Sequence, residues 1–246
     1  HLALHAGRQA WNDAVTANLD PGRVGVILGN IALPTDSASA WTREILGRTL
    51  AEQIAGVHYV GADRRLNPLN CRVAGLPAGL LAKALGLGGG GFALDAACAS
   101  SLYALKLAVD ELLAGRADAM LTGGVSRPEC LYTQMGFSQL RALSPSGRCS
   151  PFDAKADGLV VGEGSGVFVL KRLDDALRAG DHIYAVIAGI GLSNDLHGQL
   201  LAPSTEGQLR AMRAAYNQAG WKPQDIDLIE CHGTGTPVGD GVKFAS

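Results

Sequence analysis

Two stretches of this chain carry residue types that could do chemistry. The first is Leu94-Asp95-Ala96-Ala97-Cys98-Ala99-Ser100-Ser101-Leu102. To its left a short apolar run, Gly91 to Leu94, reads as a strand. To its right a helical pattern sets Leu102, Leu105, Val109 and Leu112 on one stripe. Cys98 falls on the turn between them, where small residues let a side chain stand at a helix N-terminus. Unpaired amides and the helix macrodipole favour an anion there. For cysteine that anion is the thiolate, the form that attacks carbonyls. The second stretch is His232-Gly233-Thr234-Gly235-Thr236-Pro237-Val238-Gly239-Asp240. Asp227 to Cys231 reads as a strand that delivers His232 at its C-terminal end, the edge where open α/β sheets bind ligands. The glycines after it admit close approach of a ligand to the backbone. Each residue also has a plainer reading, since free cysteine is commonly core and histidine is commonly just hydrogen-bonded. Their placement at element ends favours chemistry: a thiolate placed to attack a carbonyl, and a histidine with a glycine-rich turn at a ligand-binding edge.

Competing motifs fail. Gly233, Gly235 and Gly239 miss the GxGxxG spacing by one residue and no helix is expected to open there. The Gly88–Gly91 run precedes a strand instead of following one. There is no Walker motif, and the glycines around Ser165 stand at 162, 164 and 166, not in a GxSxG turn. No metal site is expected: Cys231 and His232, as strand neighbours, point to opposite faces. Ser100 and Ser101 read as first-turn helix residues with locally bonded hydroxyls, and Asp95 as a structural acceptor.

The elements that must position these residues follow from apolar patterning. A helix is expected over Leu4 to Asn18, with Trp11, Ala14 and Val15 on its apolar side, then a turn at Asp20-Pro21-Gly22-Arg23. Val24 to Leu28 reads as a buried strand. A loop around Pro34 leads to a helix from about Ala40 to Ala55 with Trp41, Ile45, Leu50 and Ile54 as its core stripe. Asn67-Pro68-Leu69-Asn70 is a break, and a short helix follows from about Pro77. Asp118 to Gly123 is another buried strand and Leu131 to Leu140 a helix. Ser144 to Gly158 reads as a long ordered loop, a class of segment that tends to be functional. Strands are expected at Val160-Val161, Gly166 to Leu170 and Tyr184 to Leu192, and helices at Asp174 to Ala179 and from Ser204, the latter bearing Leu209, Met212 and Tyr216. The alternation predicts an α/β layered fold.

Composition sets the bounds. The 246 residues suffice for one large domain or two modest ones, and 47% hydrophobic content supports a sizeable core. A net charge of −2 gives no case for nucleic acid or an anionic membrane as partner. The five cysteines, Cys71, Cys98, Cys130, Cys149 and Cys231, form no CxxC pair, which points to a reducing compartment and a cytoplasmic location. No apolar run reaches about 18 residues, so no membrane span is expected. The start at His1 and the stop in mid-pattern at Ser246 suggest a segment of something longer.

Asp95-Ala96-Ala97-Cys98-Ala99-Ser100-Ser101 resembles the active-site cysteine motif of β-ketoacyl synthases, and Glu230-Cys231-His232-Gly233-Thr234-Gly235-Thr236 resembles that family's first active-site histidine motif. Ser144 to Asp153 and Asp157-Gly158 through Gly162-Glu163-Gly164 lie between them in the family's order. The likeness is nearest to ketosynthase domains of polyketide and polyunsaturated-fatty-acid synthases. It implies a thiolase-like layered fold (α-β-α-β-α), incomplete at both termini, with residues 1–180 as the N-terminal half carrying the nucleophilic cysteine and 181–246 as the start of the C-terminal half. It implies decarboxylative Claisen condensation of an acyl thioester with malonyl-acyl carrier protein, an acyltransferase reaction. Cys98 would be the acylated nucleophile and His232 would stabilise the enolate. Thr234 and Thr236 would bond the pantetheine arm, Asp195 would lie near the active-site floor, and Met135 and Phe137 would line the acyl pocket. No cofactor would bind directly, the phosphopantetheine arm arriving on its acyl carrier protein, and the enzyme would be a homodimer. The family's second histidine, its lysine and a glycine-rich turn lie beyond Ser246, so residues 1–246 alone are expected to be inactive. Alternatives are a thiolase-type enzyme acting on coenzyme A thioesters and a chain-length-factor-like protein without chemistry.

Overall fold

The computed structural model describes residues 1–31, 43–61, 75–127, 131–197 and 203–246. The expected loop around Pro34, Trp41, the Asn67 break, Cys71 and Cys130 lie outside them. The chain divides into two compact units, residues 1–135 with 162–183 and residues 136–161 with 184–246.

The first unit is built on a four-stranded sheet. β1 (Val24–Asn30) lies between β2 (Gly91–Leu94) and β3 (Ala119–Ser126), both parallel to it, and β4 (Gly164–Leu170) pairs antiparallel with β3. The near-continuous apolar run of β1 is what a strand covered on both faces requires. Val24, Val26 and Leu28 face one side with Ala119 and Leu121, against Ala3 of α1 (Leu2–Asp13) and Ala78 and Leu81 of α2 (Leu76–Leu85). Ile27 and Met120 face the other, against Ala104, Ala108 and Leu112 of α3 (Ser100–Leu113). Each large side chain fully buried here stabilises the unit by about 1.5–3 kcal/mol. The turn before β1 forms as expected, Gly22 N donating to Asp20 Oδ1 at 2.9 Å. α1 stops at Asp13, short of Asn18: Val15 N and O are instead held by Asp181 and Lys171.

Two expectations about core stripes are overturned. Arg43–Gly47 and Leu50–Ile54 form π-helical turns, and Ile45, Leu50 and Ile54 are all exposed. On α3 the buried stripe is Ser100, Ala104, Ala108 and Leu112, while Leu102 is 58% exposed and Leu105 and Val109 are half-buried. The helix approaches the sheet too closely for leucine except at its far end, so the small residues take the inner face. That far end is fixed by Arg172, whose Nη1 donates to Leu112 O (2.9 Å), in the last turn of the helix, and to Ala117 O (2.8 Å), in the segment that follows it. Arg172 Nη2 and Arg23 Nε also donate to Asp118, at 2.8 and 2.5 Å.

α4 (Leu131–Gln139) crosses from the first unit's residues into the second's. β4 begins at Gly164, and Val160-Val161 is not a strand; Leu159 instead closes the base of the 144–158 loop, Ser144 N donating to Leu159 O at 2.9 Å and Leu159 N to Ala142 O at 2.8 Å. α5 (Leu173–Ala179) ends in the left-handed Gly180.

In the second unit, α6 (Thr205–Ala219) starts where expected, with Leu209, Met212 and Tyr216 half-buried. Tyr184–Leu192 and Asp227–Cys231 are not strands. A strand exists only with a ladder partner, and neither segment has one among the described residues; Tyr184 is 75% and Leu228 84% exposed. The 184–195 segment instead lies on α6, Ile190 N donating to Gln218 Oε1 (2.8 Å) and Ser193 Oγ to Gly207 O. A further helix, α7 (Pro237–Phe244), opens where none was expected. Thr236 is its N-cap, accepting from Gly239 N at 3.3 Å, and Pro237 supplies a first-turn residue with no N–H to orphan.

Candidate active site

Cys98 sits two residues before the first residue of α3, and it is exposed. The turn that carries it is over-determined. Ala97 N donates to Asp95 Oδ1 (2.9 Å), Ala96 N to Ser100 Oγ (2.9 Å), and Ser100 Oγ in turn to Ala97 O (2.6 Å). Ala99 N and Ser100 N bond back to Ala96 O and Ala97 O, both at 3.1 Å. These bonds hold Ala97 at φ +49°, a conformation that costs a non-glycine residue of order 1 kcal/mol. Strain held by this many hydrogen bonds fixes the direction of the next side chain, Cys98. Ser100 and Asp95 are thus local structural groups, as expected. Cys98 opens onto a cavity of about 410 Å³ whose other walls include Asn30, Ile31, Ser101, Val125 and Ser126. Met135, half-buried on α4, does not line it.

The remaining site candidates belong to the second unit. His232 is exposed along one side, while the chain around it excludes enough water to lower its pKa below the usual imidazole value; Lys243 lowers it further and Asp240 opposes. The ring is thereby held neutral near pH 7, so one nitrogen can donate and the other accept. Gly233 and Gly235 take φ +53° and +69°, so the turn after His232 is left-handed twice. Gly235 also touches the 144–158 loop, Gly158 N donating to its carbonyl at 3.0 Å. Thr234 Oγ1 and Thr236 Oγ1 lie 2.8 Å apart. Either hydroxyl can be the donor of that bond, and Thr236 Oγ1 also accepts from Gly239 N. Asp195 accepts from Ser204 N at 2.8 Å and so caps the start of α6. Phe137 is half-buried on α4.

The residue that sequence reasoning missed is Asp240. It is 6% exposed, accepts from Phe152 N at 2.7 Å, and leaves its other oxygen without a partner among the described residues. It ties the long loop, through Phe152 and its edge-to-face contact with Phe244 (5.1 Å), to α7. The signal was present: Thr-Pro followed by an acidic residue in the first turn is a helix start. Among the described residues, no three His, Cys, Asp or Glu side chains gather to hold a metal ion. No helix among them is long and apolar enough to cross a membrane.

Residues 1–176 match the family model of the β-ketoacyl synthase N-terminal domain, and residues 184–246 that of its C-terminal domain. One of the polyunsaturated fatty acid synthase proteins of Thraustochytrium sp. is 34% identical over 254 residues, covering 99% of this chain and 12% of that protein. A phenolphthiocerol/phthiocerol polyketide synthase protein of Mycobacterium tuberculosis is 45% identical over 160 residues, 65% of this chain and 8% of that protein. The chain thus spans a small fraction of the length of these relatives. Among solved structures, a PfaC keto synthase–chain length factor matches with TM-score 0.86 and 43% identity, covering 98% of this chain and 27% of the other. The ketosynthase from module 6 of the bacillaene synthase of Bacillus subtilis matches with TM-score 0.79 and 31% identity over 98% of this chain and 38% of the other. A type II polyketide acyl-carrier protein in complex with its ketosynthase matches with TM-score 0.81 and 26% identity, over 98% and 60%.

Proposed function

The chain belongs to the β-ketoacyl synthase family and has its thiolase-like fold; from that premise we propose that it performs decarboxylative Claisen condensation within a polyketide or polyunsaturated-fatty-acid synthase. The observation that carries the reading is Cys98, exposed at the N-terminus of α3 and opening onto a cavity. Its thiolate attacks the carbonyl of an acyl thioester on a carrier protein's pantetheine, and the pantetheine thiolate leaves. A malonyl thioester then loses carbon dioxide. The electron pair of the broken C–C bond moves onto the thioester as an enolate, and the His232 N–H stabilises its oxygen. The enolate carbon attacks the acyl carbonyl on Cys98, the C–S bond breaks, and the thiolate of Cys98 is regenerated. Thr234 bonds the amide-bearing arm through its hydroxyl, and Thr236, paired with it at 2.8 Å, supports it through the cap of α7. Met135 and Phe137 would contact the growing chain, and Asp195 would shape the floor by fixing the start of α6.

The partner this chemistry needs is an acyl carrier protein bearing phosphopantetheine. The acyl-carrier-protein complex of the 26%-identical ketosynthase supports that assignment. Assembly as a homodimer in the cytoplasm completes the reading. A chain-length-factor-like role would leave the strained cysteine turn without a purpose. The test is condensation by the full-length protein, supplied with acyl and malonyl carrier protein. Cys98→Ala should abolish condensation, and His232→Ala should slow malonyl decarboxylation by about 10²–10³-fold. Undiminished decarboxylation by His232→Ala would remove His232 from the mechanism.

A further inference from the structure

We propose that Gly29 and Gly124 form a side-chain-free seat that sets the height of the Cys98 turn above the sheet, and so act as positioning residues for acyl transfer. The two lie side by side, paired across β1 and β3. Both have backbone angles open to any residue, so space and not conformation demands glycine. A Cβ at Gly29 would stand 2.6 Å from Ser100 C, 2.7 Å from Ser101 N and 2.8 Å from Ser100 O, all backbone atoms that no rotamer can move. That is roughly 1 Å short of the separation at which carbon atoms rest. A Cβ at Gly124 would meet the Ser101 Cβ at 3.1 Å.

The seat is graded along the helix. Ile27 and Met120 lie under Ala104, Ala108 and Leu112, whereas the two glycines lie under Ser100 and Ser101. The closest approach of helix to sheet therefore falls at the cysteine end. Ser100 is also the residue that locks the turn, bonding Ala96 N and Ala97 O on the N-terminal side of Cys98. A push on the Ser100 backbone is transmitted directly to Cys98.

The inference rests on Cys98 being the acylated nucleophile. The experiment measures the rate at which the full-length protein transfers an acyl group from an N-acetylcysteamine thioester to Cys98, read by intact mass. Gly29→Ala should slow it by about 10²-fold, the loss that roughly 1 Å of misplacement causes. Gly124→Ala should slow it less, by about 3–10-fold, because its clash is with one side-chain atom. Adding Ser101→Gly to Gly124→Ala removes that atom, and the rate should return to within about threefold of that of Ser101→Gly alone. The same change lowers the melting temperature, since glycine weakens a helix. Rate and stability moving in opposite directions separate positioning from general damage. If Gly29→Ala does not fold, the Gly124/Ser101 pair decides. Acylation of Gly29→Ala at the unsubstituted rate, or no recovery on adding Ser101→Gly, overturns the seat. An unsubstituted protein that acquires no acyl group on Cys98 overturns the nucleophile and the seat together.

Discussion

Lys171 and Asp181 form an ion pair at 2.5 Å with side chains only 5% and 9% exposed. The same two groups bind the residue just after α1: Lys171 Nζ donates to Val15 O at 2.6 Å, and Asp181 Oδ1 accepts from Val15 N at 2.7 Å. Three chain segments of the first unit meet there, following α1, β4 and α5. Replacing either partner leaves the other charge buried with one peptide group for company. Asp181→Leu and Lys171→Met should each destabilise by about 3–5 kcal/mol. At about 2–4 °C per kcal/mol for a domain of this size, the melting temperature should drop by roughly 6–20 °C. The double substitution removes both desolvation costs and leaves only the Val15 peptide groups, which water can serve. Its loss should be about 1–2 kcal/mol, far below the sum of the singles. Urea titrations of the four proteins give the cycle, read at constant slope. Single losses below about 1 kcal/mol, or losses that add, would show that the pair is screened and that this account of the segment is wrong.

Other consequences are open to direct measurement. Asp118 is held near pKa 2 by its hydrogen bonds from Arg23 first and Arg172 second. A lowered carboxyl contributes stability that is complete above the unfolded value of about 3.9 and is lost as pH falls through about 2. Asp118→Asn should remove this acid-limb dependence, worth about 1–2 kcal/mol once screening of a side chain 32% exposed is allowed for. Acid titrations of stability that superimpose for the two proteins would contradict the assignment. For His232 the sign is the same, at higher pH. Its folded pKa lies below the unfolded value, so it costs stability as pH falls from about 6.5 toward the folded pKa. Lys243→Met should raise the His232 pKa and Asp240→Asn should lower it, followed through the ring resonances by NMR; shifts of the reverse sign would exclude these neighbours as its controls.

What was legible in the sequence depended on how locally each feature is determined. β1 and β3 announce themselves as unbroken apolar runs because both faces are covered within the first unit. β2 and the turn at Cys98 were placed to the residue, since small residues between an apolar tetrad and a helical pattern admit little else. The stripe on α3 was misread. Leu102 to Leu112 has the spacing of a core face, yet the gap above Gly29 and Gly124 is too narrow for leucine, and no count of hydrophobicity contains that distance. Tyr184–Leu192 and Asp227–Cys231 have strand patterning without a ladder, because pairing is a property of the neighbour and not of the segment. α7 was overlooked although Thr236 and Pro237 form a cap and first turn. Asp240 can be read from the sequence as a first-turn acid after Thr-Pro, but its bond to Phe152, 88 positions away, cannot.

In the proposed reaction one sulfur, on Cys98, takes the acyl group. The direct measurement is peptide mapping of the full-length protein after brief exposure to an acyl carrier protein loaded with a labelled acyl chain and quenched in acid. A hydroxylamine-labile acyl group should appear on the peptide containing Cys98 and be absent from Cys149, the other exposed described cysteine, and from Cys231. Label on Cys149 or Cys231 with Cys98 unmodified would contradict it.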